Sequence, residues 1–311
     1  MYTSKEPAKK SYGLLGSMVE LAGLLLVVFL IRTFGFGLYH VPTCSMETTM
    51  LVGERFFADK FSYRLRKPAR NEIIALNDPS YQYSDNPVQY LFQQYAWGPV
   101  NWTKRVIGTP GDTVRGTIEN GKAIVYVNDK KLDEPYINKY PLIRTLNYDR
   151  DYVIDQLRRG TSRAASAPLE SPKSFDPELP FDKQPFYRIH PDRVITDEEG
   201  RPGIIYPDNV RYFDEGVRSI TPRNSKNYYN GTDEFYIELG NDEYWLMGDN
   251  RRGSHDSRAL GPVSVQSIHA RILFRVWSVD TNESWVILDL LKHPIDFWSR
   301  IRFNRFFQWI S

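Results

Sequence analysis

Between Gly13 and Ile31 the chain reads GLLGSMVELAGLLLVVFLI, and no other stretch restricts its options so strongly. Its 19 residues would rise about 28 Å as a helix, close to the roughly 30 Å hydrocarbon core of a bilayer. Leu21 to Ile31 carries no polar side chain. Glu20 is the one costly residue, unless it lies near an interface, holds a proton or faces a protein partner. Lys5, Lys9 and Lys10 precede the segment, with Glu6 the only acid; Arg32, Phe34, Phe36 and Tyr39 follow it. The basic side stays in the cytoplasm, which puts the remainder of the chain across the membrane. A cleaved secretory signal shares the basic front and the apolar middle. The exit RTFGFGLYHVPTCS has no A-x-A-like small-residue site, and its aromatic residues suit an interface anchor. A cytoplasmic 1–12 and a retained transmembrane anchor over 13–37 are therefore expected.

Composition removes several function classes. Lys and Arg number 40 against 38 Asp and Glu, a net charge of +2, too balanced for a dedicated nucleic-acid binder. The single Cys44 excludes an internal disulfide framework and a Cys-cluster zinc site. Five histidines contain no H-E-x-x-H pair, so no metal or other cofactor is expected.

After the anchor the pattern turns to short runs rich in Val, Ile, Tyr and Phe, broken by Gly, Pro, Asn and Asp. Glu72–Leu76, Ala123–Val127, Phe235–Leu239 and Arg271–Trp277 read as strands, with Asn128-Asp129 a turn. The fold class expected is mostly β: an N-terminal transmembrane helix, then a β-rich catalytic domain in two parts, 38–138 and 244–284. Between them 139–243 is polar and Pro-rich, and reads as a large inserted subdomain. The tail, 285–311, mixes aromatic residues with Lys292, Arg300, Arg302 and Arg305 at roughly helical spacing. It reads equally as an interfacial amphipathic helix with its basic residues at the headgroups or as a terminal helix packed on the β domain.

Three segments hold candidate chemistry: Val41–Met50 (VPTCSMETTM), Lys104–Val114 (KRVIGTPGDTV) and Gly248–Gly261 (GDNRRGSHDSRALG). Taken singly, each has a structural reading, as a strand edge, a turn and a solvated loop. In this order behind an N-terminal anchor they resemble the bacterial type I signal peptidase (leader peptidase) family. The second segment matches that family's K-R-x-x-G-x-P-G-D pattern, and the third its G-D-N-R-x-x-S-x-D-S-R-x-x-G pattern. The first matches the S-M of P-S-G-S-M-x-P-T more loosely. The matched parts cover about 38–63, 102–137 and 244–278 and leave out the insertion.

The resemblance implies a signal-peptidase-like fold and a serine protease with a Ser–Lys dyad. Ser45 would be the nucleophile and Lys104 the general base. A serine hydroxyl needs a base to take its proton, and a lysine at its free pKa near 10.4 is charged and cannot serve. Lys104 must therefore be buried among apolar groups, which disfavour the ammonium. The resemblance further implies that Ser45 N–H and the Thr43 hydroxyl bind the oxyanion. Ser254 would orient the lysine, Asp256 and Arg258 would form a supporting ion pair, and Tyr39, Val41, Met46, Met50, Trp102 and Thr103 would line the substrate cleft. Two positions depart from the pattern. Cys44 stands where a small residue is usual and Thr48 where Pro is usual.

The expected partners are signal peptides of secreted preproteins, cut after A-x-A-like small residues, together with the lipid bilayer and the secretion machinery; nucleic acid is not among them. The expected location is the bacterial inner (cytoplasmic) membrane, single-pass, with the catalytic domain on the periplasmic side. Two other readings stay open: a self-cleaving or narrow-substrate Ser–Lys protease, and an anchored peptide-binding β domain with a dead dyad.

Overall fold

A computed structural model describes residues 13–143 except Ala96, 173–189, four short pairs between 195 and 210, and 233–310 except 282 and 284. The inserted 139–243 falls largely outside the described residues.

Helix α1 (Leu14–Leu30) runs into a wider turn over Ile31–Gly35. Leu15–Gly35 is long and apolar enough to cross a membrane, and none of its most apolar window is buried in the protein. A helix that is apolar all round and unburied needs a lipid environment. The chain then enters a mostly β domain, as the patterning predicts.

The strands β1 (Phe36–His40), β2 (Glu54–Asp59), β3 (Ile73–Asn77), β4 (Asn101–Gly108), β5 (Thr113–Glu119) and β6 (Lys122–Val127) follow one another in sequence and divide between two sheets. The later strands are β7 (Phe235–Glu238), β8 (Glu243–Met247) and β9 (Ile268–Ser278). The larger sheet has the order β1-β2-β9-β3-β4-β8, all antiparallel, with Val263–Ser264 beyond β8. The smaller sheet is β7-β5-β6 with Lys130–Lys131 at its edge. Register shifts interrupt β9 against both neighbours and β8 against β4; such bulges bend strands and increase twist.

Strand β4 joins the layers. Its pattern puts Lys104 opposite Ile74 of β3 and Arg105 opposite Met247 of β8. At its end the T-P-G-D turn is closed by Asp112, which accepts from Thr109 N at 2.7 Å and Thr109 Oγ1 at 2.8 Å. The core below β1 and β2 holds Val41, Met46, Met50, Phe56, Ile73 and Ile272, all buried. A second cluster between the layers packs Ile107, Val114, Val125, Phe235, Trp245 and Met247.

The tail packs on the β domain, though not as a single helix. It is not one helix but two short ones, Val286–Lys292 and Asp296–Ser299, a 3-10 turn and a strand, Gln308–Trp309, that pairs with β9. Arg302 and Arg305 turn into the β domain. Arg302 donates to the carbonyls of Val52 and Val279 at 2.7 and 2.8 Å, and Arg305 Nε meets Glu54 Oε1 at 2.7 Å. The buried Glu54 carboxylate needs cations, and Arg275 and Arg305 both supply them. Trp298, Phe303, Phe307 and Trp309 remain exposed on the outer side.

Candidate active site

After β1 the chain makes a 3-10 turn over Cys44–Met46, whose side chains are all buried. Met46 and Met50 anchor it in the core. The Gly248–Gly253 loop after β8 clamps the same turn from above: Asn250 N donates to Ser45 O at 3.1 Å, and Asn250 Nδ2 to Cys44 O at 2.9 Å. Gly248 is required for this approach, since a Cβ there would lie 2.4 Å from Ser45 O and 2.3 Å from Ser254 Oγ.

The clamp brings Ser45, 8% exposed, to the side chain of Lys104 on β4, 5% exposed. Lys104 Nζ stands 3.1 Å from Ser45 Oγ and donates to its neighbour's carbonyl, Thr103 O, also at 3.1 Å. The Trp102 ring centroid is 5.4 Å from the same nitrogen. Burial pushes the Lys104 ammonium down to about 8, although Asp256 and Asp249 pull the other way. An amine with that value is available as a base near neutral pH.

A cleft of about 630 Å³ opens over the pair. Its lining includes Thr43, Ser45 and Lys104 and all six residues assigned to substrate from the sequence: Tyr39, Val41, Met46, Met50, Trp102 and Thr103. Ser254, Asp256 and Arg258 are not in the lining; they stand behind the dyad. Asp256 and Arg258 form a buried two-point pair, Oδ1 to Nε and Oδ2 to Nη2, both at 2.9 Å. Burial alone would raise the Asp256 carboxyl, but Arg258 outweighs it and holds the group at about 2. Gly248 N also donates to Asp256 Oδ2 at 3.0 Å, so the pair fixes the clamping loop. No hydrogen bond joins Ser254 to Lys104. Ser254 Oγ is buried without a partner in hydrogen-bond geometry, yet stands close enough to Asp256 to help hold it ionised. Cys44 Sγ is buried, 3.7 Å from Gly253 O, and is not in the cleft lining.

Several groups that build the site carried no role in the sequence reading. Arg105, adjacent to Lys104, forms a buried two-point pair with Asp249, Nε to Oδ1 and Nη2 to Oδ2, both 2.8 Å. Thr49 Oγ1 donates to Asp249 Oδ2 at 2.6 Å. Both charged residues sit inside the matched segments, so their positions were visible and their pairing was not. Glu47 gave no signal at all. It is fully buried two residues beyond Ser45, and accepts from Ser174 N at 2.8 Å, Ser174 Oγ at 2.6 Å and the Tyr187 hydroxyl. Burial pushes its carboxyl up to about 7, against the hydrogen bonds and Lys173. Glu47 thereby ties the nucleophile turn to 173–189. Glu47→Ala is expected to lower unfolding stability by about 1–3 kcal/mol, the cost of unsatisfied buried partners. A denaturant midpoint equal to wild type would show that the tie carries no load.

Comparison with known proteins now decides the family. A profile described as signal peptidase, peptidase S26, matches residues 15–277. The chain belongs to that family. The signal peptidase I of Buchnera aphidicola is 27% identical over 293 residues, covering 90% of this chain and 80% of that protein. The signal peptidase I of Rickettsia conorii is 24% identical over 332 residues, covering 98% and 94%. A probable signal peptidase I-2 of Synechocystis is 37% identical over 142 residues, 45% of this chain and 57% of that protein. A crystal structure of a signal peptidase I from Enterococcus faecalis matches at 17% identity, with TM-score 0.26, covering 66% of this chain and 97% of that one. Membership makes the chain a serine peptidase of signal-peptide processing. The first described residue of the family match, Leu15, already lies in the apolar helix.

Proposed function

We propose that this signal peptidase is held in the bacterial cytoplasmic membrane by α1 and cuts exported preproteins on the extracytoplasmic side, with Ser45 as nucleophile and Lys104 as general base. The observation that carries this reading is the 3.1 Å contact between Lys104 Nζ and Ser45 Oγ inside a buried site. Neutral Nζ takes the hydroxyl proton as Oγ attacks the scissile carbonyl. The Ser45 N–H and the Thr43 hydroxyl at the cleft wall stabilise the oxyanion. The Lys104 ammonium returns its proton to the leaving amine, and the same nitrogen then activates the water that releases the signal peptide.

The substrate lies extended and adds to a sheet edge. β1 supports this, since it is the end strand of the larger sheet and its residues line the cleft. The nearly inaccessible Met46 and Met50 make a shallow floor. A shallow floor favours A-x-A-like small residues, because larger side chains clash. The short connection from α1 to β1 holds the dyad close to the membrane surface, where cleavage sites emerge.

The decisive experiment is a preprotein cleavage assay on the full chain, Ser45→Ala and Lys104→Ala, with the cut position read by mass spectrometry. Cleavage after a small residue by the wild type alone supports the reading. Equal cleavage by Ser45→Ala removes it. The active form is the unprotonated amine, so kcat/KM should rise about tenfold per pH unit toward the Lys104 value and then level near 8. A flat profile through that range would exclude Lys104 as the titrating base.

A further inference from the structure

A second cavity, of about 340 Å³, lies where the anchor meets the sheet. Its lining includes three cations, Arg32 at the end of α1, Lys60 after β2 and Arg64, and no carboxylate. Among the described residues none of the three pairs with an acid. Two acids in this part of the fold are already committed. Asp59 accepts from Phe61 N and Ser62 N at 2.8 and 3.0 Å, and Glu72 takes Arg66 at 2.6 Å. Lys60 Nζ donates to Arg32 O at 2.8 Å, and Arg64 lies over the Phe34 ring at 4.5 Å. Burial and the neighbouring Arg32 both push the Lys60 ammonium down. Like charges gathered without a counterion are destabilising by themselves and favour an anion between them.

One wall of the cavity is a helix the sequence reading did not find, α2 (Pro87–Tyr95), with Gln93, Gln94 and Tyr95 facing the cavity. Its Val88, Leu91, Phe92 and Tyr95 recur at i, i+3, i+4 and i+7, and all four are exposed. Trp97 follows at 79% exposure. An apolar stripe of this kind needs cover. Tyr95 packs on Phe34 at 6.0 Å between ring centroids, so the stripe begins beside the last turn of the anchor.

We propose that this cavity binds the phosphate of an anionic phospholipid headgroup, with Arg32, Lys60 and Arg64 as its ligands and the Val88–Trp97 stripe resting in the adjoining acyl region. The source of the phosphate is a lipid rather than a solute because the cavity opens at the end of the membrane helix and is continuous with an exposed apolar face. Arg32, Lys60 and Tyr39 also line the substrate cleft. A bound lipid would therefore stiffen the wall that the substrate meets. This inference rests on the membrane anchoring proposed above and on neither Ser45 nor Lys104.

The test uses the full chain in detergent, titrated with phosphatidylglycerol or phosphatidylcholine and read by native mass spectrometry. Arg64 is exposed and lies outside the catalytic cleft, so Arg64→Gln should fold normally. Phosphatidylglycerol should bind more tightly than phosphatidylcholine, and Arg64→Gln should weaken it about fivefold, with a similar further loss in Lys60→Gln/Arg64→Gln. Equal affinity for the two lipids, or unchanged phosphatidylglycerol affinity in both variants, overturns the proposal. Competition by glycerol 3-phosphate or inorganic phosphate at concentrations matching the lipid would identify a solute site and also overturn it. If lipid binding is indifferent while KM for a preprotein with an acidic mature segment rises in Arg64→Gln, the cations serve the substrate instead and the lipid assignment fails. Leu91→Gln/Phe92→Gln should reduce recovery of the chain's lipid preference while leaving far-UV circular dichroism unchanged; no change in that preference would detach the stripe from the site.

Discussion

Lys104→Arg will lower kcat for preprotein cleavage by about 10⁴-fold or more, to the level of Ser45→Ala. The substitution keeps the charge and much of the length, so a merely structural lysine would tolerate it. The expected loss is chemical. Guanidinium stays protonated at any working pH, and a protonated group cannot accept the Ser45 hydroxyl proton. Crowding adds to the effect, since Lys104 is almost wholly enclosed by Thr103, Trp102 and the nucleophile turn. Lys104→Met separates the two causes. It is apolar and of similar volume, should match the activity loss, and should stabilise the fold below pH 8. The sign follows from linkage. The folded lysine sits at about 8 against 10.5 for a free lysine side chain, so between those values the unfolded chain binds more protons and wild-type stability rises with pH. Below that window the wild type bears the full cost of a buried ammonium, whereas Lys104→Met does not. Chemical denaturation at pH 7 and pH 10 reads the difference. Retained turnover in Lys104→Arg above a hundredth of wild type would remove Lys104 as the base.

Much of the candidate site was legible through the resemblance of three ordered segments to the type I signal peptidase family. Ser45 and Lys104 are 59 positions apart, and the motifs around each announced them before any contact was known. The six residues assigned to substrate rested on the same resemblance, and all of them line the cleft. Four strands, β3, β6, β7 and β9, were legible by their β-branched and aromatic runs. Elements that depend on tertiary context were not. Helix α2 is only nine residues long, although Asn86 accepts from Val88 N and Gln89 N at 3.0 and 3.2 Å and Pro87 opens the first turn, both ordinary start signals. The tail had helical spacing, yet Glu54 and the carbonyls of Val52 and Val279 recruit its arginines and break the spacing into short pieces. Glu47 carried no signal, and only the distant Ser174 and Tyr187 make its burial tolerable. In each case the missing information was the partner, which no local pattern contains.

Asp249→Ala should lower unfolding stability by about 3–5 kcal/mol, the cost of leaving a buried charge without its partner. Arg105 is 1% exposed and would keep only the Asn71 carbonyl at 2.8 Å and the face of Tyr136 at 3.9 Å. Its neighbour Lys104 is held by the same strand, so a shift of β4 to hydrate the guanidinium would also move the base. Catalysis should therefore fall beyond what loss of folded protein explains. Thr49 loses its acceptor as well, loosening the nucleophile turn from the other side. A double substitution, Arg105→Met/Asp249→Leu, removes both charges and should recover most of the stability lost in Asp249→Ala, because the expense lies in the unpaired ion rather than in the absent bridge. Recovery of stability without recovery of kcat would assign the pair a positioning role through the Gly248–Gly253 loop. An Asp249→Ala protein with wild-type denaturant midpoint would mean that water reaches Arg105 and that the pair does not brace the site.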